Sequence, residues 1–142
     1  MIAISACLKD IKVKYDGTSN GNVSLSENYL LICPEAILGS PRNPVEIQGD
    51  ISGGNTYQLL LEGKIRVVDK EGNDYSKEFL KGALDTLNMI KKYPITKVIL
   101  KAKSPSCGAS QIYDGTFSKS LIDGSGILAS LLMSEGYIVE EL

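Results

Sequence analysis

Three cysteines and no histidine define the chemistry open to this chain of 142 residues. Without an imidazole, a Ser–His or Cys–His dyad and a histidine-ligated zinc are excluded, so a general acid or base must be a carboxylate, Lys, Tyr or Cys. Each cysteine closes an apolar run. Cys7 follows Ile2 to Ala6, Cys33 follows Tyr29-Leu30-Leu31-Ile32, and Cys107 stands in Lys101-Ala102-Lys103-Ser104-Pro105-Ser106-Cys107-Gly108, just past Val98-Ile99-Leu100. Such runs read as short buried strands. In open α/β sheets ligands bind outside the carboxyl ends of the strands, so thiols far apart in sequence can share one rim. Taken singly, Cys107 suits equally well a small buried hydrophobe in a tight loop. Three cysteines in the same strand-end position favour a site. Three thiolates without imidazole suit a soft metal centre, and since an iron–sulfur cluster usually takes four cysteines, one iron would be left open. An open metal position is what a Lewis-acid catalyst needs. Zinc on three cysteines and a water is the competing reading, although the cysteines lack the close pairing of a compact zinc ribbon.

Other polar groups stand beside these thiols. Pro34 ends the second run, because proline cannot sit inside a central ladder, so Cys33 and Glu35 project into the following loop. Two residues from a strand-end thiol, Glu35 is the leading candidate for acid/base work. Pro105 fixes its own φ and pushes its predecessor to extended backbone, which is expected to send Ser104 and Ser106 in different directions. The tetrapeptide Tyr-Asp-Gly-Thr occurs twice, at Tyr15 to Thr18 and Tyr113 to Thr116, each a few residues after a cysteine. Asp-Gly is a common turn pair, and two such turns can line opposite sides of one pocket, which makes Asp16 and Asp114 candidate substrate-binding residues.

The elements that must position these groups alternate between strand and helix. After Cys33 the chain from Ala36 to Ile51 reads as irregular. Thr56 to Glu62 reads as a short helix ended by Gly63, and Ile65 to Val68 as a short strand. Leu80, Ala83, Leu84, Leu87 and Ile90 then recur at helical spacing in a long helix capped by Asp74 or Ser76 and stopped before Pro94. A last helix over Ile127 to Met133, with Ser125 as cap and Gly136 as its stop, leads to a final strand at Tyr137 to Val139. Gly124-Ser125-Gly126 resembles a phosphate cradle only loosely, and the dinucleotide fingerprint is missing. This alternation predicts an α/β fold, a three-layer domain with a mostly parallel sheet spanning residues 1–142.

Composition narrows the partners. Fifteen basic against seventeen acidic residues, a net charge of −2, argue against bulk electrostatic binding of nucleic acid. A small neutral or weakly charged ligand fits better. The N-terminal apolar run lacks a basic flank and is too short for a signal segment or a membrane span, so the expected location is cytoplasmic. An odd cysteine count in that reducing compartment leaves the thiols free.

Taken together, Ile4-Ser5-Ala6-Cys7-Leu8, Tyr15-Asp16-Gly17, Cys33-Pro34-Glu35, Lys103-Ser104-Pro105-Ser106-Cys107-Gly108 and Ile112-Tyr113-Asp114-Gly115-Thr116-Phe117 resemble the thiouracil desulfidase family over nearly the whole chain. That resemblance implies a Rossmann-like domain with a [4Fe-4S] cluster on Cys7, Cys33 and Cys107, whose fourth iron binds the sulfur of a thiolated nucleobase. It also implies that Glu35 is the catalytic acid/base and that Ser104 helps hold the substrate. The chain is short between Asp16 and Tyr29, where relatives have room for a helix. A longer relative that acts on thiolated tRNA carries a further domain, so the expected substrate here is a free base or nucleoside. A sulfide carrier, sensor or structural module holding a cluster or zinc is the alternative function.

Overall fold

Short apolar strands buried over most of their length, Ile2–Ser5 throughout, set the architecture. A computed structural model describes residues Met1–Leu142 and runs β1 (Ile2–Ser5), β2 (Tyr29–Ile32), β3 (Val45–Gln48), α1 (Thr56–Leu61), β4 (Arg66–Asp69), α2 (Ser76–Ile90), β5 (Lys97–Leu100), β6 (Gln111–Tyr113), β7 (Leu121–Asp123), α3 (Ile127–Ser134) and β8 (Val139–Glu141). The central sheet has the order β2-β1-β5-β8 with every pair parallel. Two antiparallel pairs, β3-β4 and β6-β7, lie outside it.

Successive residues of a strand face opposite sides, and the two sides of this sheet are covered differently. Ala3, Ile32, Val98 and Leu100 join Leu59 and Leu60 of α1, Phe79, Ala83, Leu87 and Ile90 of α2, and Ile127 to Leu132 of α3 in the main core. All three helices therefore pack on one face. Ile2, Ile4 and Ile99 face the other way and pack with Leu8, Val23 and Leu25, so this layer is irregular chain from the segment after Cys7. The short connection noted between Asp16 and Tyr29 does this covering. Full burial of a side chain of this size contributes about 1.5–3 kcal/mol, so both layers matter to stability.

α3 is buried on nearly all sides, as an apolar helix wedged between α1, α2 and the sheet must be. No helix is long and apolar enough to cross a membrane.

Several boundaries differ from those expected. The span from Ala36 to Ile51 is not irregular throughout, since it holds a 3-10 turn at Ala36–Leu38 and then β3, whose Val45 and Ile47 are buried while Glu46 and Gln48 are not. Two nearby prolines masked a four-residue alternation. β1 stops at Ser5, so Cys7 sits in a 3-10 turn at Ala6–Leu8, and β8 begins at Val139 instead of Tyr137. The N-cap position of α2 is Tyr75; Asp74 Oδ1 accepts from the Ser76 N–H at 2.8 Å one residue earlier, and the Ser76 hydroxyl accepts from the Val67 N–H at 3.0 Å. Leu84 points outward; Gly82 and Thr86 complete the buried face instead. Gly126, without a side-chain bond, is the N-cap of α3 in place of Ser125. Gly136, at φ 88, ends that helix in the left-handed conformation glycine permits.

Candidate metal centre and active site

The parallel order β2-β1-β5 puts the ends of three adjacent strands on one edge, and a cavity of about 660 Å³ opens there. That volume is in the range of small-ligand sites. Cys7, Cys33 and Cys107 all line it, and all three are free thiols. Burial pushes Cys107 up to about 12, with the Glu35 carboxylate and Cys33 adding to the effect. Cys33 is raised for the same first reason, and it also feels Glu35 and Cys7. Cys33 is thus the thiol that feels Cys7 and is felt by Cys107. A thiol in such a place ionises only when a cation compensates it, which is what a metal ligand undergoes on binding. No three Cys, Asp or Glu side chains are gathered closely enough to hold a single metal ion.

Hydrogen-bond donors reach the sulfurs of Cys7 and Cys107. Asn20 donates its Nδ2–H to Cys7 Sγ at 3.0 Å, and its backbone N–H to the Cys7 carbonyl at 2.7 Å. The Ser106 hydroxyl reaches Cys107 Sγ at 3.6 Å, and the Ser5 hydroxyl also lowers the Cys107 thiol. At Cys33 the backbone N–H of Glu35 works against the upward push of burial. Contacts of this kind orient metal ligands and tune the metal.

Glu35 has both carboxylate oxygens engaged. Arg42 Nη2 lies 3.2 Å from Oε1, with the two side chains only 13% and 15% exposed. The same guanidinium donates to the Val13 carbonyl at 3.1 Å, which fixes its position. On the other side Ser106 Oγ donates to Oε2 at 2.5 Å, and Ser104 Oγ lies 3.4 Å from the same oxygen. The two serine hydroxyls are 3.0 Å apart. This corrects the expectation that Pro105 sends them in different directions. The reason is local: Ser104 Oγ accepts from the N–H groups of Ser106 and Cys107, at 3.2 and 3.0 Å, and the turn folds back on itself.

Two helices hold the site loops from behind at backbone distance. A Cβ on Gly82 of α2 would lie 1.9 Å from the Pro34 carbonyl oxygen, and one on Gly126 would lie 2.7 Å from the carbonyl oxygens of Pro105 and Ser106. The Gly126, Ile127 and Ala129 N–H groups donate to the carbonyls of Gly108, Pro105 and Ser106. The opening of α3 spends its free donors on the cysteine loop, which explains its glycine-rich approach without any phosphate.

The two Tyr-Asp-Gly-Thr segments form the same turn twice. Asp16 Oδ1 accepts from the N–H of Thr18 at 3.0 Å and from its hydroxyl at 2.5 Å. Asp114 Oδ1 does so with Thr116 at 3.0 and 2.6 Å. These bonds hold both carboxyls below the usual range. The residues that reach the cavity from these turns are Tyr15 and Tyr113; neither Asp16 nor Asp114 lines it. Cys7, Cys33, Cys107, Glu35, Ser104 and Ser106 do come together there. Arg42, Ser5 and Asn20 join them without having been singled out in the sequence. Only Ser5, two residues before a strand-end thiol, carried a positional hint.

A family profile described as 2-thiouracil desulfurase matches residues 2–141. The chain is 37% identical over 146 aligned positions to a protein of Bacillus subtilis (strain 168) named "Uncharacterized protein YbbK", covering 98% of this chain and 93% of that one. A solved structure of the [4Fe-4S]-dependent thiouracil desulfidase TudS superposes with a TM-score of 0.82 at 34% identity, over 99% of this chain and 89% of its own. A profile match over almost every residue, joined by the three thiols and Glu35 around one cavity, means that this chain belongs to the 2-thiouracil desulfurase family.

Proposed function

We propose that this chain, working as one domain over residues 1–142 in the cytoplasm, is a [4Fe-4S]-dependent desulfidase that replaces the sulfur of a thiolated pyrimidine base or nucleoside with oxygen from water. The observation that carries this reading is one cavity lined by three free thiols and a carboxylate, with no fourth soft ligand. The donor set fits the cluster. Cys7, Cys33 and Cys107 would hold it, and the cluster would supply Lewis-acid polarisation of the thiocarbonyl. The net reaction is thiouracil plus water giving uracil plus hydrogen sulfide. No atom changes its total oxidation balance, so no electron donor is required.

The protein groups account for the proton traffic. Arg42 holds Glu35 Oε1, and Oε2, which meets only neutral hydroxyls, is the working oxygen. Glu35 takes a proton from the attacking water at Oε2 and returns it to the ring or the departing sulfide. Ser106, 2% exposed, donates to Oε2 and holds its orientation. Ser104 is the more exposed of the pair and its bond to Glu35 is long, so its hydroxyl turns to substrate at little cost. Asp16 and Asp114 contribute by shaping the turns that carry Tyr15 and Tyr113.

Anaerobically reconstituted protein should bind about four irons per chain, show broad visible absorption, and release sulfide and uracil from thiouracil without reductant. A colourless zinc protein would end the cluster assignment. A cluster-loaded protein that takes up sulfide but forms no uracil would instead be a sulfide carrier.

Asn20 gives a finer test of the ligand set. Asn20→Ala removes the donor to Cys7 Sγ, and loss of such a contact typically costs about 10–100-fold in metal affinity. The variant should lose its visible absorption faster in air and retain less iron after desalting. Unchanged iron retention and air lifetime would count against Cys7 as a ligand held by Asn20.

A further inference from the structure

The chain has two phenylalanines, and they stand in different environments. Phe79 is 3% exposed in the main core. Phe117 is half-buried, packs against neither hydrophobic cluster, and lines the cavity with the three thiols and Glu35. An aromatic ring outside the core needs another reason for its place.

Its backbone supplies a second observation. Phe117 sits at φ 57, a left-handed conformation that bulky L side chains avoid. Four non-glycine residues have positive φ, and three of them, Lys103, Phe117 and Lys119, line this cavity. Backbone outliers that gather at one cavity indicate that the surroundings hold them for function. For Phe117 the holding group is Glu46 of β3, whose Oε1 accepts from the N–H groups of Gly115 at 3.0 Å and Phe117 at 3.2 Å. A strand anchored by the Val45 and Ile47 core contacts thus fixes the loop that carries the ring.

We infer that Phe117 is a stacking wall for the pyrimidine ring of the substrate; this rests on the desulfidase reading above. A thiolated pyrimidine is a planar π-system, and one aromatic face fixes the plane of the ring while leaving its edge free. The sulfur on that edge is then directed within the plane, toward the thiols and Glu35.

Glycine at this position separates structure from binding. Phe117→Gly relieves the left-handed backbone and removes the ring, so the melting temperature should stay the same or rise while binding weakens. Stacking of a base on an aromatic side chain is worth roughly 5- to 150-fold in affinity by truncation. The measurement is the Kd of thiouracil, followed by its near-ultraviolet band, in cluster-loaded Glu35→Gln protein, where substrate persists. The expected result is a Kd raised within that range in Phe117→Gly, little changed in Phe117→Tyr, and accompanied by no loss of melting temperature. If the glycine variant does not fold, Phe117→Asn, which tolerates the same φ, takes its place. Equal affinity with and without the ring overturns the inference, as does weaker binding that merely tracks a lower melting temperature. Absence of thiouracil binding in the Glu35→Gln parent itself would instead sink the desulfidase reading, and the stacking inference with it.

Discussion

Glu35→Gln should lower the rate of desulfuration by about 10²–10⁴-fold, the usual contribution of a positioned acid/base group, while the protein keeps its cluster. The substitution preserves size and leaves one acceptor oxygen, which can meet either the Ser106 hydroxyl or Arg42 but not both. It removes the proton-accepting oxygen. It also leaves Arg42, 13% exposed, facing a neutral amide, and breaking such a hydrogen-bonded charge costs about 1–3 kcal/mol of stability. Single-turnover sulfide release, read beside iron content and melting temperature, separates these effects. A large rate loss with full iron content and a modest fall in melting temperature is the expected pattern. A rate near that of the parent would remove the need for Glu35. Asp16 and Asp114 are the rival carboxylates, and their engagement with Thr18 and Thr116 gives a matching control: Asp16→Asn and Asp114→Asn should disturb turn geometry far more than proton transfer.

The thiols and Glu35 were legible in the sequence for a physical reason. An apolar run ended by Cys, Pro or Gly marks both a buried strand and the point where it stops, and a parallel sheet collects such points on one edge. Cys33-Pro34-Glu35 carries that signal in three residues. Arg42 carries none, because its role depends on the 3-10 turn at Ala36–Leu38 reversing the chain so that a residue seven positions later faces Glu35. Asn20 was hidden for a similar reason: it meets Cys7 only because the segment after the first cysteine folds back over the sheet face. Strand β3 is not legible because four residues of alternation, after Pro41 and Pro44 and before Gly49, are too few to outweigh the turn formers around them. The directions of Ser104 and Ser106 depend on more than the backbone restriction that Pro105 imposes. Two N–H groups converging on Ser104 Oγ reshape the turn, and that bond is invisible to a pattern of residue types.

Gly82→Ala should reduce both stability and activity, although it improves the helix in isolation. In the interior of a helix, alanine is favoured over glycine by roughly 0.5–1 kcal/mol, so from sequence alone Gly82 resembles a flaw in α2. The structure gives it a purpose. An added Cβ would stand 1.9 Å from the Pro34 carbonyl oxygen, and the atom it meets is backbone with no rotamer by which to move aside. Either α2 retreats from the sheet, loosening Ala83, Leu87 and Ile90 in the main core, or the Cys33-Pro34-Glu35 loop shifts. Overpacking of this kind costs about 1–3 kcal/mol and occasionally more, which exceeds the propensity gain. In a chain of this size that corresponds to a fall of roughly 3–10 °C in melting temperature. A displacement of Pro34 moves one thiol relative to the other two and breaks the contacts of Glu35 with Arg42 and Ser106, so iron content and turnover should fall together. Thr86→Ala one turn along the same helix is the control, since it removes a hydroxyl bonded only to the Gly82 carbonyl and adds nothing toward the loop. A Gly82→Ala protein that melts at or above the parent temperature with full iron content and turnover would show that the helix and the loop accommodate a methyl group, and that α2 does not set the position of Cys33 and Glu35.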